Sequence, residues 1–374
     1  MMRFLSLTLI ALWAPMVSAQ SHWSAYGLYE RWVSDEAPAH VALALNYDTW
    51  LGHTWLNIRY NTETVRIGIS GLRLTEQVSL GADITGEALF SNVLNDHYLD
   101  GQNQLERGIA PSYVLARSWL DVRLKDDLTL QAAAGVRRWF HARTKHTADE
   151  LTLPADSLVL EPEIALTYWR LEGIDWRDGH RVFPRLNGIA MGLGLGARWQ
   201  HDTRAWGALD PDAFARVDIR NRPDPVQLYL RQWLKAGKRM GALRLEVEEE
   251  AAAQFGEDDL YRRQIGGLNP FGISLPGSPW AYLHAGDYVG GQLRLRWVLN
   301  SSIEVGPIAG IVAVRDIDRR GDDAFSFMHG YGLLFELREG PWQFDLRGGY
   351  SPTMASKRAP EQAWNALLVI GYGS

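Results

Sequence analysis

Leu293-Arg294-Leu295-Arg296-Trp297-Val298-Leu299 decides the fold. Leu293, Leu295, Trp297 and Leu299 fall on one side of an extended chain, with Arg294 and Arg296 on the other, because successive side chains of a strand point to opposite faces. A strand that is apolar on one face and charged on the other separates an apolar phase from a polar one. The same rule runs outward along the chain. Leu243, Leu245 and Val247 oppose Arg244, Glu246 and Glu248, and Trp342, Phe344 and Leu346 oppose Gln343, Asp345 and Arg347. Val78, Leu80, Ala82 and Ile84 oppose Ser79, Gly81 and Asp83, and Ile189, Met191, Leu193 and Leu195 oppose Gly192, Gly194 and Gly196. Trp364, Ala366, Leu368, Ile370 and Tyr372 form the outer face of a last strand.

Segments of this kind are predicted near 23–33, 39–48, 52–60, 63–74, 76–90, 112–124, 128–140 and 158–171, then at 187–201, 226–235, 240–255, 288–299, 303–315, 327–338, 341–350 and 363–373. The first three show the alternation only weakly. The total is even, as single-chain bacterial barrels require. Links after the odd strands from the fifth onward are long: 91–111, 141–157, 202–225, 256–287, 316–326 and 351–362. Links after even strands are short, as at Lys125–Asp127, Ala236–Arg239, Asn300–Ser302 and Glu339–Gly340, with 172–186 the exception. An up-and-down barrel across a membrane alternates short turns and long loops in this way, whereas a sandwich or propeller has no reason to. The expected class is all-β: a transmembrane up-and-down antiparallel β-barrel of about sixteen strands.

Composition agrees. Thirty-six glycines and sixteen tryptophans suit strands that meet two membrane–water interfaces. Trp139, Phe140, Trp169, Trp199, Trp233 and Trp297 near strand ends read as interfacial girdles. Cysteine is absent, so burial and sheet pairing must hold the fold. A net charge of −6 with dispersed charges argues against nucleic acid as a partner and leaves outer-membrane lipid as the surrounding one. At the start, Arg3, the ten-residue apolar stretch Phe4–Trp13 and the small-x-small run Val17-Ser18-Ala19 read as a signal peptide, 1–19, cut after Ala19. The remaining 20–374 reads as a single barrel domain in the outer membrane of a Gram-negative-type envelope.

The link 256–287 stands apart. It contains Arg262-Arg263-Gln264-Ile265-Gly266-Gly267-Leu268-Asn269-Pro270-Phe271 and then Leu275-Pro276-Gly277-Ser278-Pro279-Trp280. Its glycines permit backbone shapes closed to other residues, its prolines stiffen it, and Leu268, Phe271, Ile273, Leu275 and Trp280 would not stay in water. The segment is expected to fold into the lumen or across its mouth, with the Gly192, Gly194, Gly196 stripe making room for it.

Arg294, Arg296, Arg244, Arg347, Glu246, Glu248, Asp345, Glu161, Glu163 and Asp83 are expected to face the lumen, either paired across strands or lining a water path. Glu249 breaks the alternation and would face lipid. The apolar zone on that strand should therefore end near Val247, or a bulge should intervene.

The Gly-Gly pair and Leu-x-Gly element after the eleventh strand, and the run Gly330-Tyr331-Gly332-Leu333 through Gly340-Pro341-Trp342-Gln343-Phe344-Asp345, resemble the outer-membrane assembly-factor barrels, the BamA/TamA-like bacterial surface-antigen superfamily. The resemblance implies sixteen strands, a lumen-inserted loop leaving the eleventh, and a role in envelope biogenesis or translocation. In that family the loop carries an Arg-Gly pair whose arginine binds acidic residues of the inner wall. Here Pro276 precedes Gly277, and Arg262 and Arg263 are the arginines that stand nearest to that role. The reading is of a barrel without periplasmic repeat domains, so a periplasmic or membrane partner protein would supply them. Family barrels end in an aromatic residue; here Tyr372 is followed by Gly373 and Ser374.

No metal-ligand motif, nucleophile elbow or cofactor fingerprint is present, so no metal, cofactor or catalytic residue is assigned. The acidic run Asp316–Asp318 with Asp322 and Asp323 lacks calcium-loop spacing. Three functions stay open: a surface-antigen-like barrel in biogenesis or translocation, a porin-like channel or uptake barrel gated by 256–287, and an outer-membrane lipid hydrolase using His201 with Asp202, or Ser351.

Overall fold

A computed structural model describes residues 21–32, 40–62, 64–88, 97–99, 102–104, 109–143, 147, 149, 152–172, 184–206, 223–256, 263–268, 273–278, 283–317, 323–353 and 364–373. The predicted leader and residues 318–322 of the acidic run lie outside these, as do Arg262, Pro270, Phe271 and Trp280.

Sixteen strands close one antiparallel barrel in chain order. They are β1 (Ser21–Trp32), β2 (His40–Leu51), β3 (Thr54–Asn61), β4 (Thr64–Arg73), β5 (Val78–Ala88), β6 (Ile109–Lys125), β7 (Leu128–Arg143) and β8 (Leu158–Leu171). There follow β9 (Gly188–Gln200), β10 (Val226–Met240), β11 (Leu243–Phe255), β12 (Tyr288–Val298), β13 (Ile303–Ile317), β14 (Asp323–Glu339), β15 (Trp342–Tyr350) and β16 (Trp364–Gly373). β16 pairs with β1 from Ser24↔Gly373 to Trp32↔Asn365, so no edge is left open. Two short hairpins, 97–99 with 102–104 and 263–265 with 283–285, lie outside the wall.

The two faces divide as the alternation requires. Leu293 and Trp297 are 47% and 46% exposed, while Arg294 and Arg296 between them are 3% and 0%. Outward aromatic residues mark two rims. Trp23, Tyr372 and Trp342 meet at the short-turn end, with ring centroids 5.0 and 4.8 Å apart. Tyr350 and Trp364 meet at the long-loop end, 4.7 Å apart, in register with Tyr331. Eight residues separate Trp342 from Tyr350, about 27 Å along a strand and roughly 20 Å across the belt at ordinary barrel tilt.

Several expectations need correction. Trp139, Trp169 and Trp233 point inward rather than to the girdles: Trp139 is buried beside Tyr113, and Trp169 packs edge-on to Trp233 at 6.0 Å. Only Phe140, Trp199 and Trp297 of that set are outward and exposed. The turn expected at Ala236–Arg239 is strand; β10 runs on to Met240 and turns at Gly241, whose φ of 63° suits glycine. No bulge intervenes at Glu249, because β11 keeps uninterrupted register with β10 and β12.

Candidate functional site in the lumen

Among the described residues, two chain segments and a buried charge network stand in the lumen. The first segment follows β11. Its hairpin, 263–265 with 283–285, leads into a compact turn in which Gly266 N–H donates to Ile273 O (2.9 Å), Leu275 N–H to Gly267 O (2.8 Å) and Gly267 N–H to Ser278 Oγ (2.9 Å). Ile265, Leu268, Ile273 and Leu275 are buried. Ile265, Ile273 and Leu275 pack with Tyr288, Val312, Val314 and Met328 of β12–β14, while Leu268 packs with Tyr26, Leu28, Leu367 and Val369 of β1 and β16.

Two polar residues, neither singled out by sequence reasoning, fasten this loop. Glu30 Oε1 on β1 accepts from Leu268 N–H at 2.6 Å. Asn365 on β16 accepts from Gly277 N–H through Oδ1 (2.8 Å), and its Nδ2 donates to Ser278 O (2.9 Å) and Glu30 Oε1 (3.0 Å). The loop therefore clasps both strands of the seam where the barrel closes. Gly277, at φ 84°, approaches the backbone of Tyr350 and Ser351 so closely that no Cβ would fit.

Room for the loop comes from glycines other than those expected. On the inner faces of β12–β15, a Cβ at Gly290 would meet Ile273 at 2.7 Å, and one at Gly310 would meet Pro276 at 2.6 Å. At Gly330 and Gly349 it would strike the loop backbone at Pro276 and Gly277. The Gly192, Gly194, Gly196 stripe does face inward, but Trp233, Arg231 and Tyr229 of neighbouring β10 lie over it. In a barrel with large side chains on one strand, the adjacent strand must be bare.

The second segment enters from the short-turn end, which explains why the link after β8 is long. Leu186 is fully buried, its N–H donating to Glu246 Oε1 (2.7 Å) and its carbonyl accepting from Arg244 Nη1 (3.1 Å). Arg185 Nε reaches Glu336 Oε1 at 2.6 Å and Glu304 Oε1 at 3.3 Å.

Between the two segments, Arg296 is fully buried against Glu246 (3.0 Å), Glu336 (2.6 Å) and Glu304 (3.5 Å). Arg294 pairs with Glu246 at 2.9 Å and with Glu248. Arg244 lies 3.4 Å from Glu304, and Arg347 and Asp345 are buried side by side on β15. Glu304, Glu336 and Arg185 join the lumen-facing charges read from the alternation. Glu304 and Glu336 escape the alternation because the inner rows beside them, Gly306, Ile308, Gly310, Val312 and Val314 on β13 and Met328, Gly330, Gly332 and Leu334 on β14, are apolar or glycine. Of the loop residues, Gly266, Gly267, Pro276 and Gly277 are buried in the plug; Arg263 belongs to the hairpin. Opposite the plug, the wall carries its own pairs: Arg66–Asp83 (2.6 Å), Arg137–Glu161 (2.8 Å) and Arg231–Glu163 (2.6 Å). A cavity of about 350 Å³ opens at the short-turn end beside Trp50, His53, Arg73, Asp121 and Arg123.

The residues considered for lipid hydrolysis do not assemble. Ser351 is buried and its Oγ donates to the carbonyl of His329 (2.6 Å), not to an imidazole. Asp202 is engaged by Arg204 Nε at 3.0 Å, a hydrogen bond that holds its carboxyl below the usual range.

Comparison with solved structures agrees with this geometry. A crystal structure of BamA from Haemophilus ducreyi lacking POTRA domains 1–3 superposes with a TM-score of 0.61 at 10% identity, covering 95% of this chain and 70% of that one. The chain shares the barrel fold of BamA. CdiB from Acinetobacter baumannii matches at TM-score 0.59 and 7% identity, covering 96% of this chain and 60% of that one. CdiB from Escherichia coli matches at 0.59 and 10%, covering 96% and 64%. The chain thus spans less than two thirds of either CdiB chain. No protein-family model and no curated protein sequence matches it. As the BamA/TamA-like resemblance implied, a loop that leaves the eleventh strand enters the lumen and five strands follow it.

Proposed function

We propose that the protein is an integral outer-membrane barrel of the surface-antigen type, exported by its leader, that serves envelope biogenesis or translocation together with a separate partner protein. The observation that carries this reading is the loop after β11, bonded at once to Glu30 of β1 and Asn365 of β16. A loop so placed couples the content of the lumen to the seam between the first and last strands, so a partner that moves one moves the other. Loss of the gene is expected to produce envelope-assembly or secretion defects, while purified protein in planar bilayers stays silent. An intact envelope after gene loss contradicts the reading.

One observation favours a second reading, a gated channel. The loop rests on β12–β16 and β1, while the wall of β4–β10 keeps its charged pairs and a polar cavity opens at the short-turn end. Steady conductance that rises when residues 264–280 are deleted selects the channel.

A further inference from the structure

Among the described residues of the outer wall, Glu249 is a carboxylate at mid-strand that the barrel does not explain. The outward row of β11 is Leu243, Leu245, Val247, Glu249, Ala251, Ala253 and Phe255, so the carboxylate is its middle member with three apolar residues on each side. On β10 the outward row runs Val226, Leu228, Leu230, Gln232, Leu234 and Ala236. Gln232 Nε2 donates to both oxygens of Glu249, at 2.8 and 3.0 Å. Six residues separate Glu249 from either end of β11, roughly 20 Å along the strand and about 15 Å along the barrel axis.

That depth matters. Outward Arg170, Lys238 and Arg315 lie within two residues of a strand end, and outward Arg138 stands opposite Leu158, the first residue of β8, so each long side chain reaches headgroups and water. Glu249 is short and central, and hydrocarbon cannot solvate the lone pairs that Gln232 leaves open. The surface beside it is low. Its register partner on β12 is Gly291, where a Cβ would stand only 3.7 Å from that of Glu249, and Ala251 and Ala253 continue the shallow notch. Small residues around a polar one let another segment approach closely and meet it.

We propose that this face of β10–β12 is an intramembrane docking surface for a transmembrane segment of a partner protein that carries a lysine or arginine at mid-bilayer depth. The inference rests on the membrane-spanning reading. Charge selects the occupant: pairing two copies through this face sets carboxylate against carboxylate, and lipid headgroups lie at the rims.

The test reconstitutes the full barrel in vesicles of phosphatidylethanolamine and phosphatidylglycerol, with an acceptor dye on Asp126→Cys, in a turn. Donor-labelled leucine-rich helices carry lysine, leucine or glutamate at their centre. The central-lysine helix is expected to associate about tenfold more tightly than the all-leucine helix. Glu249→Leu is expected to abolish that preference and Glu249→Gln to remove most of it, while both variants remain heat-modifiable. Equal binding of lysine and leucine helices, or a preference that survives Glu249→Leu, overturns the proposal. So does barrel–barrel energy transfer, without peptide, that Glu249→Leu removes. A wild-type chain that fails to float with the vesicles overturns the membrane reading as well; floating with equal binding overturns this inference alone.

Discussion

Arg296 shows how much the interior depends on single residues. It is the shared cation of Glu246, Glu304 and Glu336, all fully buried. Removing one partner of a buried ion network leaves charge without compensation and costs about 3–5 kcal/mol. Arg296→Met is expected to destabilise the folded barrel by that amount in urea unfolding of the reconstituted protein; a change near zero would mean that water reaches the site. Asn365→Ala removes three hydrogen bonds at the seam and is expected to cost about 1–3 kcal/mol. Gly330→Ala tests the loop without touching a polar group. Its Cβ would fall on the carbonyl of Pro276, so the loop must leave while β14 stays. Limited proteolysis should then cut within 256–287 faster than in the native chain, with the barrel still heat-modifiable.

At the scale of elements, the sequence is most readable where lumen and exterior differ most. β12 alternates because Arg294 and Arg296 meet carboxylates inside while Leu293 and Trp297 meet an apolar phase outside. β1 reads weakly because its inner residues Tyr26 and Leu28 pack on Leu268 of the loop, which makes both faces apolar. The run Ala236–Arg239 mimics a turn with its glycine and two cations, yet Gly237 stays in the strand because Leu186 lies directly over it inside the lumen. Tryptophans mislead for a related reason. Indole suits a rim, but it also fills a lumen, and Trp233 does so above Gly192. The loop announces itself by glycine, proline and apolar residues together, whereas Glu30 and Asn365 are single polar residues in strands with little pattern, and only the closed seam brings them together. Because the loop forms its own hairpin and turns, deleting 264–280 is expected to leave all sixteen strands paired. Circular dichroism and heat-modified migration should be unchanged; loss of the barrel would mean that the plug is needed for closure.

The whole molecule rests on one division of space. A sheet without edges satisfies its backbone polar groups internally, which is the condition for standing in hydrocarbon. On the membrane-spanning reading its outer rows face lipid, while its inner rows face the plug and the charge network. The two aromatic rims, eight residues apart on β15 and again on β16, place the belt. The chain contains no cysteine, so single cysteines report their positions without background. The most direct test labels Leu193→Cys, Leu346→Cys and Leu368→Cys on the outer face, and Ser70→Cys on the inner face, with an environment-sensitive dye in vesicles containing brominated lipid. The account predicts strong quenching at the three outer positions and little at the inner one. Equal quenching on both faces, or none at Leu193, Leu346 and Leu368, would contradict it.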